Sequence, residues 1–214
     1  MDLIFLILIN MHISWLGQTC VRLQTKNVDE DITVIIDGYK PSTGEFPRSF
    51  SPQIALYSHG EENITTLSQE PFIISTSGEC EIKGVMCYSY PCEDGQIFKI
   101  NAENINLVHL GKITKKLDAE HIEKLGTPDI LFIPVGGGPN YLSLNDAADM
   151  ITTLGPRIVI PIAYQSDSEP KAGALSEFIK VVGLSPEVTD KKFIIKKKDL
   201  PSSETKLMVL EKNY

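Results

Sequence analysis

Paired metal-binding motifs and nucleophile motifs are absent from this sequence. Its 214 residues include only four histidines, and the four cysteines form no Cys-x-x-Cys pair. A zinc module built on closely spaced cysteines and histidines is therefore excluded. The sequence also has no Gly-x-Ser-x-Gly elbow, so it lacks the nucleophile turn of a serine hydrolase of that type.

An excess of positive charge is lacking as well. The formal net charge is −8, which argues against a nucleic-acid partner held by bulk electrostatics. The apolar N-terminal stretch "MDLIFLILIN" is about half as long as a membrane-spanning helix. It carries Asp2 instead of a positive n-region and is followed by no small-residue cleavage site, so it does not fit a signal peptide. We expect no nucleic-acid partner and no membrane partner.

The composition is that of a globular protein. Hydrophobic residues make up 42% of the chain and charged residues 22%, which is enough to bury a core. We predict that residues 1–10 are an apolar extension or a misassigned start, and that residues 11–214 form a single domain. Unpaired cysteines are natural in a reducing compartment, so they favour a cytoplasmic location.

Strand patterns fill the first half of the chain, and strands alternate with helices in the second half. The runs "HISWL" and "CVRLQ" alternate, and "DITVIIDG" is rich in β-branched residues, as strands are. Helices are predicted in "LDAEHIEKLG", capped by Asp118, in "SLNDAADMITTLG", capped by Ser143, and in "EPKAGALSEFIKVVGL". Buried strands are predicted in "PDILFIPVGGG" and "PRIVIPIAY". This order predicts a layered α/β or α+β sandwich.

A series of motifs in a fixed order resembles the metallo-β-lactamase-fold superfamily. The motifs are "HISWLGQTC", "VIIDG", "IALYSHGEEN", "FIISTSGECEIKGV", "VHLG", "PDILFIPVGGG" and "PRIVIPIAY". The sequence is most similar to small bacterial Zn-dependent hydrolases related to ascorbate-phosphate lactonases, and the similarity extends to the C-terminal "DLPSSETKLMVLE". The resemblance implies an α+β fold, a four-layer αββα sandwich with metal ions held in loops at one edge of the two sheets.

The same resemblance locates the metal ligands of the family, and most of them are replaced in this chain. His59 alone keeps its histidine, at the first place of the family's His-x-His-x-Asp-His signature. His109 matches a residue that is not a ligand in the family. The remaining ligand positions hold Gln18 for the histidine of Trp-Leu-Gly-His, Glu61 and Ile64 for later histidines, Asn63 for an aspartate, Lys112 for the bridging carboxylate and Ala163 for the last histidine.

These replacements remove the electron-pair donors that zinc needs. Each zinc ion takes three or four nitrogen, sulfur or carboxylate ligands, and Ile64 and Ala163 have no donor atom in their side chains. Lys112 brings positive charge to a place where an anion would balance two dications. We therefore predict a pseudoenzyme, which has lost the dizinc hydrolase site, needs no cofactor and has a binding or structural role.

Two alternatives remain open. A rewired site around His59 could hold a single Mg²⁺, Mn²⁺ or Zn²⁺ and hydrolyse a phosphoester or a lactone. The chain could also be a subunit of a homo-oligomer or complex. No small-molecule substrate is identified by the sequence. The candidate ligands of the rewired site are Glu61, Glu62 and Asp94, with Gln18, Asn63, Cys92 and Glu93 as further neighbours.

Overall fold

The computed structural model describes residues 10–27, 30–47 and 49–213. The predicted extension at residues 1–10 lies outside the described residues except for Asn10. The division into an extension and a single domain over 11–214 stays a prediction. No helix within the described ranges is both long enough and apolar enough to cross a membrane.

Strands greatly outnumber helices in the described ranges. The strands are β1 (Met11–Trp15), β2 (Val21–Lys26), β3 (Asp31–Ile36), β4 (Ser49–Phe50), β5 (Ile54–Leu56), β6 (Thr66–Leu67), β7 (Phe72–Ile74), β8 (Gly78–Ile82), β9 (Val85–Cys92), β10 (Gly95–Ala102), β11 (Ile105–His109), β12 (Ile130–Pro134), β13 (Ile158–Ile162), β14 (Pro186–Thr189), β15 (Phe193–Ile195) and β16 (Lys206–Leu210). The helices are α1 (Ala119–Leu125), α2 (Leu144–Leu154) and α3 (Leu175–Val182), with a 3₁₀ turn at Lys197–Asp199.

The first sheet has the strand order β15-β1-β2-β3-β5-β7. Its strands β1, β2 and β3 are antiparallel, whereas β5 and β7 continue the sheet in parallel. Alternate residues such as Val21, Leu23 and Val34 point into the main core. This alternation is the period of two that a strand imposes on its side chains.

The second sheet has the order β14-β16-β13-β12-β11-β10-β9-β8. Hairpins build its β8–β11 half, and β11, β12, β13, β16 and β14 run parallel. Every residue of β12 and β13 is buried, as in parallel strands covered on both faces. Met150 of α2 and Phe178 of α3 belong to the same core, so these helices provide the cover on the outer face.

A second apolar cluster covers the other face of the first sheet. Ile35 and Ala55 point away from the main core and pack with Tyr39 and Phe50, which follow β3 in sequence. The short β4–β6 pair lies in the same part of the chain. Residues 38–47 and 49–71 contain no helix, so strand and loop form the outer layer here.

The predicted α+β sandwich of mixed sheets is confirmed, and so are the caps of α1 and α2. The third predicted helix is shorter than expected, because residues 169–174 form a turn and loop and α3 begins at Leu175. Asp118 accepts a hydrogen bond from the backbone of α1, and Ser143 caps α2 in the same way. Strand β14 was not predicted. Its residues are mostly exposed, so "PEVT" has no buried face to produce an alternating pattern, and only pairing with β16 makes it a strand.

Candidate functional site

The loops that carry the family's ligand positions meet at one end of the sandwich. The backbone N–H of Ala163, after β13, donates to the carbonyl of Gln18, after β1, at 2.8 Å. The N–H of Gln96 in β10 donates to the carbonyl of Ser58, after β5, at 2.7 Å. These contacts join the first sheet to the second at the predicted edge. The resulting group of loops is called the cleft below.

A buried carboxylate, Asp37, organises the loop after β5. Asp37 follows β3 with a left-handed backbone, at φ +50°, and is 3% exposed. One of its oxygens accepts from the backbone N–H of Ser58 at 2.6 Å, and the other accepts from the Ser58 hydroxyl at 2.7 Å. Both bonds compensate for the loss of water around a buried anion.

The Ser58 hydroxyl also contacts the one retained histidine. Its oxygen lies 3.0 Å from Nδ1 of His59, and this nitrogen lies 3.8 Å from a carboxylate oxygen of Asp37. The His59 side chain is 40% exposed. Asp37 and Ser58 therefore orient the buried side of the His59 ring, and the rest of the ring is exposed to solvent.

His109 is a structural histidine beneath the cleft. It is completely buried, its Nε2–H donates to the carbonyl of Thr19 at 2.9 Å, and its Nδ1 accepts from the N–H of Gly111 at 3.1 Å. A carbonyl can only accept and a backbone N–H can only donate, so these partners fix the neutral Nε2–H tautomer. Burial lowers the pKa of His109. Both nitrogens are in use, so neither is free for a metal.

Glycines allow the hairpins of the second sheet to approach the Ser58 backbone. A side chain at Gly95, the first residue of β10, would overlap the Ser58 carbonyl, and one at Gly111, after β11, would overlap the Ser58 side chain. Both glycines have positive φ, +136° and +62°. This close contact helps to hold the loop after β5 in position.

Gln18, which the resemblance places at a ligand position, makes hydrogen bonds within the protein. Its side-chain amide donates to the carbonyl of Ser168 at 3.1 Å, and its own carbonyl accepts from the indole N–H of Trp15 at 2.8 Å. Ala163 at the last ligand position is fully buried and has φ +58°. These two positions, where the resemblance predicts imidazoles, make structural backbone and amide contacts instead.

Residues 165–173 form a loop, hereafter the 165–173 loop, which is held at this end of the molecule by hydrogen bonds and an ion pair. Asp167 accepts through its backbone from the Thr43 hydroxyl at 2.9 Å and through its carboxylate from the Glu45 N–H at 3.1 Å. It also pairs with Lys212. Burial opposes ionisation of Asp167, but hydrogen bonds from Lys212 and two backbone N–H groups outweigh it and hold its pKa below the usual value. The ion pair between Asp167 and Lys212 therefore helps to hold the loop in place.

Two of the acidic residues predicted for a rewired site have partners elsewhere. Glu61 accepts from the Ser75 hydroxyl at 2.6 Å, and Asp94 accepts from the backbone N–H of Thr114 at 2.7 Å. Glu62 is exposed. Across the described part of the chain, no three His, Cys, Asp or Glu side chains are grouped so that they could hold a metal ion.

The remaining candidates are engaged in other contacts, line a cavity or are exposed. Glu93 pairs with Lys115 at 2.6 Å. Cys92 lines a small cavity of about 150 Å³ together with Asp118 and His121. Asn63 is exposed, and its carbonyl accepts from the N–H of Lys40 at 2.6 Å.

The donor set at the cleft does not fit a dizinc centre. Ile64 packs against the second apolar cluster, and its backbone bridges to Tyr39. Lys112 is half-buried directly after Gly111. Zinc requires three or more nitrogen, sulfur or carboxylate donors per ion, and these positions offer a hydrocarbon, an ammonium group and the methyl group of Ala163.

Sequence reasoning missed two central residues of the cleft. Neither Asp37 nor Ser58 is among the site residues that the sequence predicts. A usable signal existed, because a carboxylate that directly follows the buried run "VII" must find hydrogen-bond donors as it leaves the sheet. The identity of the donor depends on the fold, since Ser58 lies 21 residues further along the chain.

Comparisons with known proteins establish the family. The model of the beta-lactamase superfamily domain matches residues 12–163, and the chain belongs to this family. A UPF0173 metal-dependent hydrolase from Methanosphaerula palustris is 23% identical over 204 residues, which cover 79% of this chain and 92% of that protein. The finer likeness to ascorbate-phosphate lactonases stays a prediction.

Solved structures share the fold at low sequence identity. One, from Thermotoga maritima and described as a Zn-dependent hydrolase of the metallo-β-lactamase superfamily, has a TM-score of 0.78 at 21% identity and covers 94% of this chain and 99% of its own. Igni18, a metallo hydrolase from Ignicoccus hospitalis, has a TM-score of 0.61 at 15% identity and covers 87% and 97%. The predicted metallo-β-lactamase-type sandwich is thereby confirmed.

Proposed function

We propose that this chain is a non-hydrolytic member of a metal-dependent hydrolase family, with a binding or structural role. The observation that carries the proposal is the reuse of ligand positions for structural contacts. The Gln18 amide holds Ser168, Ile64 packs in an apolar cluster, and Ala163 is buried against the loop after β1.

The electrostatics of the cleft support the same proposal. In a dizinc site, carboxylates and imidazoles balance the charge of two dications. Here Lys112 adds positive charge at the bridging position, while the buried Asp37 carboxylate is already compensated by two hydrogen bonds from Ser58. These contacts between protein groups support a cleft that keeps its geometry without an ion.

The second candidate is a hydrolase with one metal ion at His59, and exposure of that side chain favours it. Glu61, Glu62 and Asp94 would be the added ligands, for Mg²⁺, Mn²⁺ or Zn²⁺. Glu61 would give up Ser75, and Asp94 would give up the backbone and hydroxyl of Thr114. Each lost bond to the part-buried Asp94 carboxylate costs about 1.5–3 kcal/mol, whereas the exposed Glu61 bond costs no more than about 0.5 kcal/mol. The loss at Asp94 weighs against this candidate.

A hydrolysis assay tests the proposed function. The purified full chain, supplied in turn with Zn²⁺, Mn²⁺ and Mg²⁺, is given an activated phosphodiester and a simple lactone. We expect no turnover above buffer and the same result for His59→Ala. Metal-dependent turnover that disappears in His59→Ala and persists in a matched His12→Ala variant would overturn the proposal and support the single-metal hydrolase.

We also propose a cytoplasmic location and self-association as working hypotheses. All four cysteines are free thiols, which supports a reducing compartment.

Phe72 and Ile73 on the edge strand β7 are 51% and 40% exposed, which supports self-association through this strand. Light scattering of the wild type and of Phe72→Ser would test the second hypothesis, because a dimer held by this edge would dissociate in the variant.

A further inference from the structure

The β8–β9 hairpin places two cysteines directly opposite each other. Cys80 and Cys87 are partners in the antiparallel register. The two turn residues, Lys83 and Gly84, both have positive φ, +54° and +82°, as the favoured two-residue hairpin turns require. The turn thus fixes the register, and the register fixes the cysteine pair.

The geometry of such a pair is close to that of a disulfide. Residues directly opposite in an antiparallel pair have Cα atoms about 4.5–5.5 Å apart, within the range of about 4.4–6.8 Å seen in disulfides. Their Cβ atoms, about 4.5–5.5 Å apart, lie at or just beyond the disulfide limit of about 4.5 Å. A bond is therefore reachable with a small movement, and it carries strain.

We propose that Cys80 and Cys87 form a reversible disulfide, making the β8–β9 hairpin a redox modification site separate from the cleft. Strained disulfides have higher reduction potentials and are the labile, regulatory ones. The fold does not need the bond, because the hairpin is already held by its backbone ladder. The pair therefore responds to redox conditions instead of serving as a permanent link.

The two thiols differ in exposure to solvent, so we assign Cys80 as the thiol that reacts first and Cys87 as the thiol that closes the disulfide. Cys87 is fully buried in the main core, and Cys80 is half-buried on β8, the edge strand of the second sheet. Burial raises the pKa of both thiols, that of Cys87 to about 12. The thiol form therefore predominates at neutral pH, which slows thiol–disulfide exchange, and Cys80 is the thiol that an external oxidant can reach.

The oxidant we assign is a low-molecular-weight disulfide such as glutathione disulfide. The Cys80 thiol loses a proton, and its sulfur attacks the oxidant, forming a mixed disulfide and expelling one glutathione thiolate. The Cys87 sulfur, after losing its proton, then attacks the Cys80 sulfur and expels the second. Each expelled thiolate takes up one proton, so two protein thiols are oxidised and one glutathione disulfide is reduced to two glutathiones.

Redox titration of the full-length chain tests the proposal. The protein is equilibrated in buffers of increasing glutathione disulfide to glutathione ratio. It is then denatured in acid, its free thiols are alkylated in denaturant, and its peptides are mapped by mass spectrometry. We expect a cross-linked peptide that contains Cys80 and Cys87, and a fall from four alkylatable thiols to two that a dithiol reductant reverses.

Matched variants identify the partners. Cys92→Ser removes a half-buried cysteine outside the pair and should leave the cross-link unchanged, whereas Cys80→Ser should abolish it. In Cys87→Ser, if it folds, a mixed disulfide should persist on Cys80. If the Cys87→Ser variant does not fold, the peptide map of the wild type and that of Cys80→Ser are sufficient to identify the two bonded cysteines. A wild-type map with only glutathione adducts, or with a cross-link to Cys20 or Cys92, would overturn the proposal.

Discussion

Asp37 and Ser58 form the residue-scale centre of the cleft. Both oxygens of the buried carboxylate are bonded to one serine, through its N–H and its hydroxyl. The same hydroxyl contacts His59. A single hydroxyl group therefore positions two other side chains, Asp37 and His59, which lie in two loops.

Removal of that hydroxyl should destabilise the fold. Ser58→Ala leaves one oxygen of a buried carboxylate without its donor, which costs about 1–3 kcal/mol. Ser75→Ala is the matched control, because its hydroxyl serves the exposed Glu61, and its cost should stay within about 0.5 kcal/mol. Urea denaturation measures both. Equal effects of the two variants would show that Asp37 does not depend on Ser58.

His121 should make stability depend on pH. Its ring hydrogen-bonds to the Pro91 carbonyl and to Asp118, both at 2.7 Å, and the first of these is the main cause that raises its pKa above 6.5. A raised folded-state pKa contributes stability that is complete below the unfolded pKa and is lost as pH rises through the folded pKa. We expect a small loss in the free energy of unfolding over that window, because solvent screens the partly exposed pair.

An NMR titration of the His121 ring measures this directly. The pKa should lie above 6.5 in the wild type and should fall in Asp118→Asn, which removes the negative partner. A wild-type value at or below 6.5 would contradict the double hydrogen bond.

At the residue scale, the sequence identified which positions are replaced but not what the replacements do. Gln18 and Ile64 could be predicted to be non-ligands from their side chains alone. That Gln18 would bond Ser168, 150 residues away, could not be predicted, because this contact depends on how the 165–173 loop folds back.

The start of β10 packs very closely against the cleft, because Gly95 lies next to the Ser58 carbonyl. Gly95→Ala adds a methyl group against the Ser58 carbonyl at positive φ, whereas Gly84→Ala has positive φ but open space around it. Gly84→Ala should cost about 1 kcal/mol from backbone strain. Gly95→Ala should cost about 2 kcal/mol more, since overlap adds to strain. Thermal unfolding compares the two, and similar losses would contradict the close approach.

Helix α3 offers a stabilising change. Its N-cap residue Ala174 makes no side-chain capping bond, although its backbone, at φ −72° and ψ 138°, suits a capping residue. Ala174→Asp should add about 0.5–1 kcal/mol by accepting from a free N–H of the first turn. The control Ser143→Ala at α2 should lose about 1 kcal/mol. Destabilisation by Ala174→Asp in urea denaturation would contradict the N-cap assignment.

Elements with a strong local signal were the ones predicted correctly. Helices α1 and α2 have side-chain caps and glycine ends, and β12 and β13 are continuous apolar runs. Strand β14 has neither property, because its stability comes from pairing with β16, which lies about 20 residues further along the chain. Local patterns could not reveal it.

On the scale of the whole molecule, protein groups join the two sheets at the cleft. Ser58–Gln96, Ala163–Gln18 and Gln18–Ser168 contacts cross between loops. An ion bound at about 100 times its Kd would add about 2.7 kcal/mol to the free energy of unfolding. Without such an ion, a chelator has nothing to remove. We expect EDTA to shift the Tm by less than about 1 °C, against several degrees for loss of a bound metal.

The most direct test is the metal content of the full-length chain after it has been saturated with Zn²⁺ and desalted. Elemental analysis should find far less than one metal ion per chain, in the wild type and in His59→Ala alike. One tightly held ion per wild-type chain, absent from His59→Ala, would contradict the loss of the metal site.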